Sequence, residues 1–251
     1  MPKTDNDERS RIDQNISNAE KLRNPLEHLE PYTTFEYNTK QSKSSCDDNC
    51  SNPSSAEQLH IERKFRIKFY KSPLPSDLHD SCMSLFKDNM SKLYEASSWG
   101  LDLESKSEEL RHESARFLIV TEEIKEIPSS AMNQSSLNSL VRSFSHFRFE
   151  VNDDDFPTEE VIYLYEIQVH PDAQKCGIGK RCMSIIELVG LKTKMKRVLL
   201  TVFKNNNRAM EFYLNKMKYN IDESSPSNYK GEEADYEILS KTLISKRIKK
   251  R

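Results

Sequence analysis

Val161-Ile162-Tyr163-Leu164-Tyr165-Glu166-Ile167-Gln168-Val169, followed by Gln174-Lys175-Cys176-Gly177-Ile178-Gly179-Lys180, is the stretch from which the fold can be read. The first nine residues are β-branched and aromatic, the composition of a strand. Residues 178–194 carry apolar side chains at helical spacing, and 198–203 (VLLTVF) is a nearly continuous apolar strand. Strand, helix and strand in that order imply a right-handed βαβ unit with parallel strands. Two of the chain's 5 glycines lie in the turn between the first strand and the helix. Glycine allows close approach of a ligand to the backbone, and the first amides of a helix have no intrahelical acceptor, so such a turn can hold an anion such as a phosphate.

Working outward, residues 65–69 and 117–120 read as strands, and 144–151 as a strand with the alternation Phe147, Phe149, Val151. The latter two fit an antiparallel pair joined through a polar loop at 128–138. Apolar spacing predicts helices from 76 to about 97, from 101 to 111 and from 207 to 217. A late strand at 236–239 completes an α/β domain with a mixed sheet. Residues 11–30 predict a helix ending in the Pro25 to Pro31 region, with Ile12, Ile16, Ala19 and Leu22 on one face. Residues 38–55 are Ser, Asn, Asp and Lys with almost nothing apolar, the composition of a disordered insertion. The chain divides into residues 1–57 (helix and polar insertion), a domain at 58–242 and a basic tail at 243–251.

The 251 residues suit one large or two small domains. Hydrophobic residues are 35% of the chain, below the roughly 45–50% of an average domain. Part of the chain is therefore expected outside the core. With 38 basic and 40 acidic residues, a global field that would grip nucleic acid is not expected. Apolar runs are strand-sized and no signal-peptide core opens the chain, so the expectation is a soluble intracellular protein without a membrane partner. Cys46, Cys50, Cys82, Cys176 and Cys182 are odd in number and scattered, a poor disulfide framework, and lack zinc-ligand spacing, so no metal is expected.

Spacing narrows the anion. A phosphate-binding Walker loop needs four residues between its glycines and then Lys-Ser/Thr, whereas Gly177 and Gly179 precede Lys180-Arg181. The dinucleotide fingerprint needs Gly or Ala at 182, where Cys182 sits. A plain turn punctuated by glycine remains the alternative on this motif alone.

Q-x-x-G-x-G after a strand ending near Val169 resembles the acetyl-coenzyme A loop of the GCN5-related N-acetyltransferase superfamily, and Asn206 with Ala209, Phe212 and Tyr213 resembles that superfamily's next element. KLYEASSWG, FSHFRFE, YLYEIQV, LTVFK, SSPS and YEILS, in this order, narrow the resemblance to its histone-specific N-terminal acetyltransferases, over roughly residues 60–241 with a fainter match at 24–27.

The resemblance implies a mixed sheet flanked by helices, with parallel strands splayed at an acetyl-coenzyme A site. It places Ile167, Gln168 and Val169 at the pantetheine arm and thioester, Lys175, Cys176, Gly177, Ile178, Gly179 and Lys180 at the pyrophosphate, and Asn206 at cofactor or peptide. It further implies transfer of acetyl to the free α-amine of histone tails of the four and two-A types, in nucleus and cytoplasm, by a monomer. An α-amine has a pKa of about 7.7–8.0, so its base has a modest task. Glu166 is the first candidate base, directly, through water, or with only its backbone carbonyl orienting the amine. Tyr165 joins it in the catalytic set. The peptide groove is assigned Tyr94, Trp99, Glu150, Asn152, Tyr163, Tyr165, Thr201 and Tyr236. Asn152 stands where a second acid is expected, and Asp153 to Asp155 either compensate or form a solvated loop. Thr201 is equally well explained as a strand former. Tyr213 resembles a tyrosine that protonates the departing thiolate in many acetyltransferases, but is not included in the catalytic set. Strand alternation puts Tyr163 and Tyr165 on one face and Glu166 on the other, so all three reach one pocket only if the strand twists or bulges. A non-catalytic reader of basic amino-terminal tails on the same fold is the competing function, and a basic import signal at 246–251 competes with a solvated charge run.

Overall fold

The computed structural model describes residues 5–40, 60–123, 141–152, 158–231 and 233–243. Eight strands form one mixed sheet: β1 (Thr34–Lys40), β2 (His60–Lys71), β3 (Arg116–Glu123), β4 (Val141–Asn152), β5 (Glu159–Val169), β6 (Arg197–Phe203), β7 (Asn220–Ile221) and β8 (Tyr236–Thr242). Their order across the sheet is β1-β2-β3-β4-β5-β6-β8-β7. Among the described residues only β5 and β6 pair in parallel, joined by the helix α5 (Ile178–Lys192), as the βαβ reading requires. The other helices are α1 (Asp5–Lys21), α2 (Glu30–Thr33), α3 (Ser76–Glu95), α4 (Leu103–Arg111) and α6 (Asn207–Glu211).

Helices cover both faces of the sheet. On one face α1 and α5 pack over Phe147, Phe149, Ile162 and Leu164; on the other, α3 and α4 pack over Phe117, Ile119 and Phe144. This double cover is why β4 is buried almost continuously from Ser143 to Phe149. The α1 helix docks through Ile12 and Ala19, both buried. Its Arg11 donates to Glu160 of β5 at 2.5 and 3.1 Å, and Asn15 donates to the same carboxylate at 2.9 Å.

Arg11 and Asn15 more than offset the burial that would raise Glu160, and hold its pKa below the ordinary 4.5. A depressed carboxylate contributes stability above its unfolded pKa and loses it as pH falls through the folded value. Arg11→Ala leaves a buried carboxylate short of its cation, which costs about 2–3 kcal/mol at pH 7. Urea unfolding at pH 7 and pH 3 checks this: the difference from wild type should shrink at pH 3, and an equal difference at both would assign Arg11 a packing role.

Three sequence expectations change. The first helix spans Asp5–Lys21. Strand β1 runs to Lys40, pairing Asn38, Thr39 and Lys40 with Glu62, Ile61 and His60, so 38–40 belong to the sheet; main-chain bonding to β2 does not depend on apolar side chains. The helix expected over 207–217 is α only to Glu211, then π over Phe212–Lys216, closed by Met217 N–H on Phe212 O at 2.9 Å. The remaining insertion (41–55), the polar loop at 128–138, Asp153 to Asp155, Cys46, Cys50 and the tail at 246–251 lie outside the described residues.

Candidate active site

Strands β5 and β6 pair from Val161 to Leu164 against Arg197 to Leu200, and the ladder stops there. Beyond that point a cleft of about 250 Å³ opens, floored by Tyr165 to Gln168 on one side and Thr201 to Phe203 on the other. The same place carries a bulge. His146 pairs with Glu166 while Phe147 pairs with Leu164, leaving Tyr165 as the extra residue. Simple alternation fails here: the bulge turns Glu166 to the face of Tyr163 and Tyr165, and all three line the cleft.

Glu166 is 5% exposed and both its oxygens are engaged, Oε1 by Lys106 Nζ at 2.9 Å and Oε2 by Gln168 Nε2 at 2.7 Å. Burial pushes the carboxyl up, opposed by Lys106 and Gln168. The Lys106 ammonium also donates to both oxygens of Glu109, at 2.8 and 2.9 Å, and lies 5.0 Å from the Phe86 ring centroid. Burial disfavours its charge, but Glu166 and Glu109 together raise its pKa. His146 Nδ1 sits 3.5 Å from Glu109, and burial lowers its imidazole to about 4, so it is neutral at pH 7.

Tyr165 is held between rings and charges: it stacks on His146 at 4.8 Å, lies 4.3 Å below the Arg148 guanidinium and donates its hydroxyl to Glu150 at 2.6 Å. Burial first, and Glu150 second, raise its pKa and keep it protonated. Tyr163 shares a 2.5 Å hydrogen bond with Thr201, which gives Thr201 a role beyond strand formation.

The mouth is aromatic. Trp99 is half exposed, 5.2 Å from both Phe203 and Tyr236 and 6.3 Å from Tyr94. Burial pushes Tyr94 up to about 12. Glu150 and Tyr236 are not among the cleft-lining residues; they stand behind it, Glu150 bonded to Tyr165 and Tyr236 packed on Trp99. Asn152, at the end of β4, falls outside the cleft lining.

At the other end of β5 stands the glycine turn. Gly177 has φ +80°, and a Cβ there would meet nothing within 4 Å; Lys175 is also left-handed at φ 63°. No side chain caps α5, and the first amide bonded back into the helix is that of Arg181, on Gly177 O. The amides of Ile178, Gly179 and Lys180 therefore stand at the positive end of a 15-residue helix. A Cβ at Gly179 would lie 3.3 Å from the Phe212 ring, a tight contact that requires the ring to shift by a few tenths of an ångström. Val169 O accepts from Asn89 at 3.2 Å and from Gln174 at 3.0 Å, tying the strand end to α3 and to the turn. Asn206 caps α6 by accepting from Ala209 N–H at 3.2 Å, and it lines the cleft together with Tyr213. Among the described residues no group of three or more His, Cys, Asp or Glu side chains is placed to hold a metal ion.

One cleft thus gathers Tyr94, Trp99, Tyr163, Tyr165, Glu166, Ile167, Gln168, Thr201 and Asn206. Val169 and residues 175–180 continue from it along β5 and the turn. Sequence reasoning missed Lys106, Glu109, His146 and Arg148. In LESKSEELR the first two lie on a helix, where charged side chains ordinarily face water, and only the approach of α4 to β5 brings Lys106 to Glu166.

Residues 143–219, which carry the splayed strands, the glycine turn, α5 and the π turn, match the model of the Acetyltransferase (GNAT) family. The fold is that of the GNAT acetyltransferases. Among solved structures, Arabidopsis thaliana NAA60 in complex with a bisubstrate analogue is 15% identical, covering 71% of this chain and 99% of that one with a TM-score of 0.49. Ard1 from Thermoplasma volcanium is 13% identical over 71% and 99%, with a TM-score of 0.47.

Proposed function

We propose that this GNAT protein transfers acetyl from acetyl-coenzyme A to the free α-amino group of histone tails of the four and two-A types, as an N-alpha-acetyltransferase of the D type. One observation carries the reading: a buried carboxylate, Glu166, lines the cleft where two parallel strands part, on the same strand that leads to an uncapped helix N-terminus. Ile167 and Gln168 present strand backbone to a pantetheine arm, and the amides of residues 178–180 suit a pyrophosphate. Bound acetyl-coenzyme A supplies an activated acetyl group. The protein's residues do the rest: aromatic walls hold the peptide end, and Glu166 takes the proton of the α-ammonium. A carboxylate raised by burial is better matched to an amine of pKa about 7.7–8.0 than an ordinary one. The substrate class rests on the FSHFRFE, YLYEIQV and YEILS strings and on Glu150, which holds the hydroxyl of the cleft-lining Tyr165. Nuclear and cytoplasmic location and action as a monomer are parts of the same proposal.

The test is coenzyme A release with a Ser-Gly-Arg-Gly peptide. Release is expected with a free amino-terminus and none with a blocked one; peptide binding without release would instead favour a non-catalytic reader.

Glu150→Ala tests the groove. A charge-assisted carboxylate–guanidinium bond contributes about 1.5–3 kcal/mol when partly desolvated, and less when exposed. The Michaelis constant for the basic peptide should rise several-fold while that for acetyl-coenzyme A holds, and the effect should vanish with neutral peptides. An equal loss on neutral peptides would mean that Glu150 serves only to anchor Tyr165.

A further inference from the structure

The carboxylate assigned to proton transfer is not an isolated group, because a cation is built between it and a second acid. Lys106 reaches from α4 across the sheet face, is nearly buried, and divides its three donors among Glu166 and the two oxygens of Glu109. Two carboxylates and one ammonium carry a net charge of −1 in a cleft that must receive a cationic α-ammonium. We propose that Lys106, braced by Glu109, is a positioning residue that keeps Glu166 ionised and aimed into the cleft, so that the three side chains accept the substrate's proton as one unit. This rests on the acetyl-transfer reading.

Geometry decides what each member does. Glu109 lies on the same helix one turn after Lys106, and its carboxylate takes two of the ammonium's bonds, so the lysine cannot swing towards solvent without breaking both. The ammonium stands over the Phe86 ring and 5.9 Å from the Tyr94 ring, faces that favour a cation. From α3, Asn89 donates to Gln168 Oε1 at 3.0 Å, which turns the Gln168 amide nitrogen on to Glu166. The other groups around the carboxyl change little near neutral pH. His146 on β4 is neutral, Arg148 on β4 is spent on His146 and on Glu109 O, and the hydroxyls of Tyr94, Tyr165 and Tyr213 stay protonated, since burial raises each. The Lys106 charge is therefore the main force holding Glu166 ionised, and Glu109 the main acid opposing it.

Opposite substitutions should act with opposite signs. In K106M two acids face each other without a cation, and Glu166 should titrate about 1 pH unit or more higher; in E109Q the repulsion is gone and it should titrate lower. Glutamate-labelled protein followed by carbon NMR, with the Glu166 signal assigned from E166Q, reads both midpoints directly. The pH profile of kcat with the Ser-Gly-Arg-Gly peptide reads the consequence: K106M should fall about tenfold or more at pH 7 and recover as pH rises, with both Michaelis constants within a few-fold of wild type, and K106R should restore most of the rate. Wild-type turnover combined with an unmoved Glu166 midpoint in K106M, or with a loss equal at every pH, overturns this proposal alone. Absence of coenzyme A release by wild type at any pH overturns the acetyl-transfer reading and this proposal with it.

Discussion

Gly177→Val should weaken acetyl-coenzyme A by roughly 100-fold, about 2.8 kcal/mol at 1.4 kcal/mol per tenfold. The open space around a Cβ at 177 shows that crowding by the protein is not the cause. Two other effects act. The backbone is at φ +80°, a conformation that costs a β-branched residue about 1–3 kcal/mol, so the turn relaxes and moves the amides that follow. The added side chain also occupies the space through which a phosphate would approach. Gly231, at φ +90° and equally open, supplies the control, because Gly231→Val also puts a β-branched residue at positive φ, in an exposed turn outside the cleft lining. Isothermal titration of both variants, each checked by circular dichroism, should show lost affinity at 177 and wild-type affinity at 231. Equal affinity in both would remove the turn from cofactor binding.

The second large effect is expected at Glu166. Glu166→Gln keeps the shape of the side chain but removes the proposed proton acceptor, and general-base catalysis is commonly worth about 100-fold or more. kcat at pH 7 should therefore fall about 100-fold with acetyl-coenzyme A affinity retained. Rates within about threefold of wild type would mean that the α-amine loses its proton without this carboxylate, and that only the backbone of β5 orients it. Lys106 keeps Glu109 as a partner in this variant, so an unpaired buried ammonium is not created.

The two sites were not equally legible in the sequence. The βαβ unit and the glycine turn could be read because their signals are local: an apolar run, a pair of glycines and a helical period lie within about 40 residues of one another, and all survive in the structure. Strand β1 was missed although Phe35 and Tyr37 alternate with polar residues in it, because that alternation is short and its last residues, Asn38 to Lys40, run on into the polar stretch that follows. The orientation of Glu166 was hidden because a single extra residue, Tyr165, shifts the register against β4, and a period of two has no way to register an insertion. Lys106 and Glu109 were hidden for a different reason. Charged residues at i and i+3 on a helix ordinarily face water, and only the approach of α4 to β5 brings Glu166 within 2.9 Å of the ammonium. The aromatic mouth lay between these cases: Trp99, Tyr94 and Tyr236 were named from their strings, but the contact of Trp99 with Phe203 depends on the fold.

The central claim is that the cleft acts on a free amino-terminus and not on lysine side chains. A lysine amine, with a pKa of about 10.4, holds its proton far more tightly than an α-amine, and the base proposed here, Glu166, is a carboxylate already engaged by Lys106 and Gln168. The direct measurement is mass spectrometric mapping of the acetyl group on a histone-tail peptide that begins Ser-Gly-Arg-Gly, carries internal lysines and has reacted with acetyl-coenzyme A. The account predicts acetyl on the α-nitrogen of the first residue with the lysines unmodified, whereas acetylation of internal lysines at a comparable rate would contradict it.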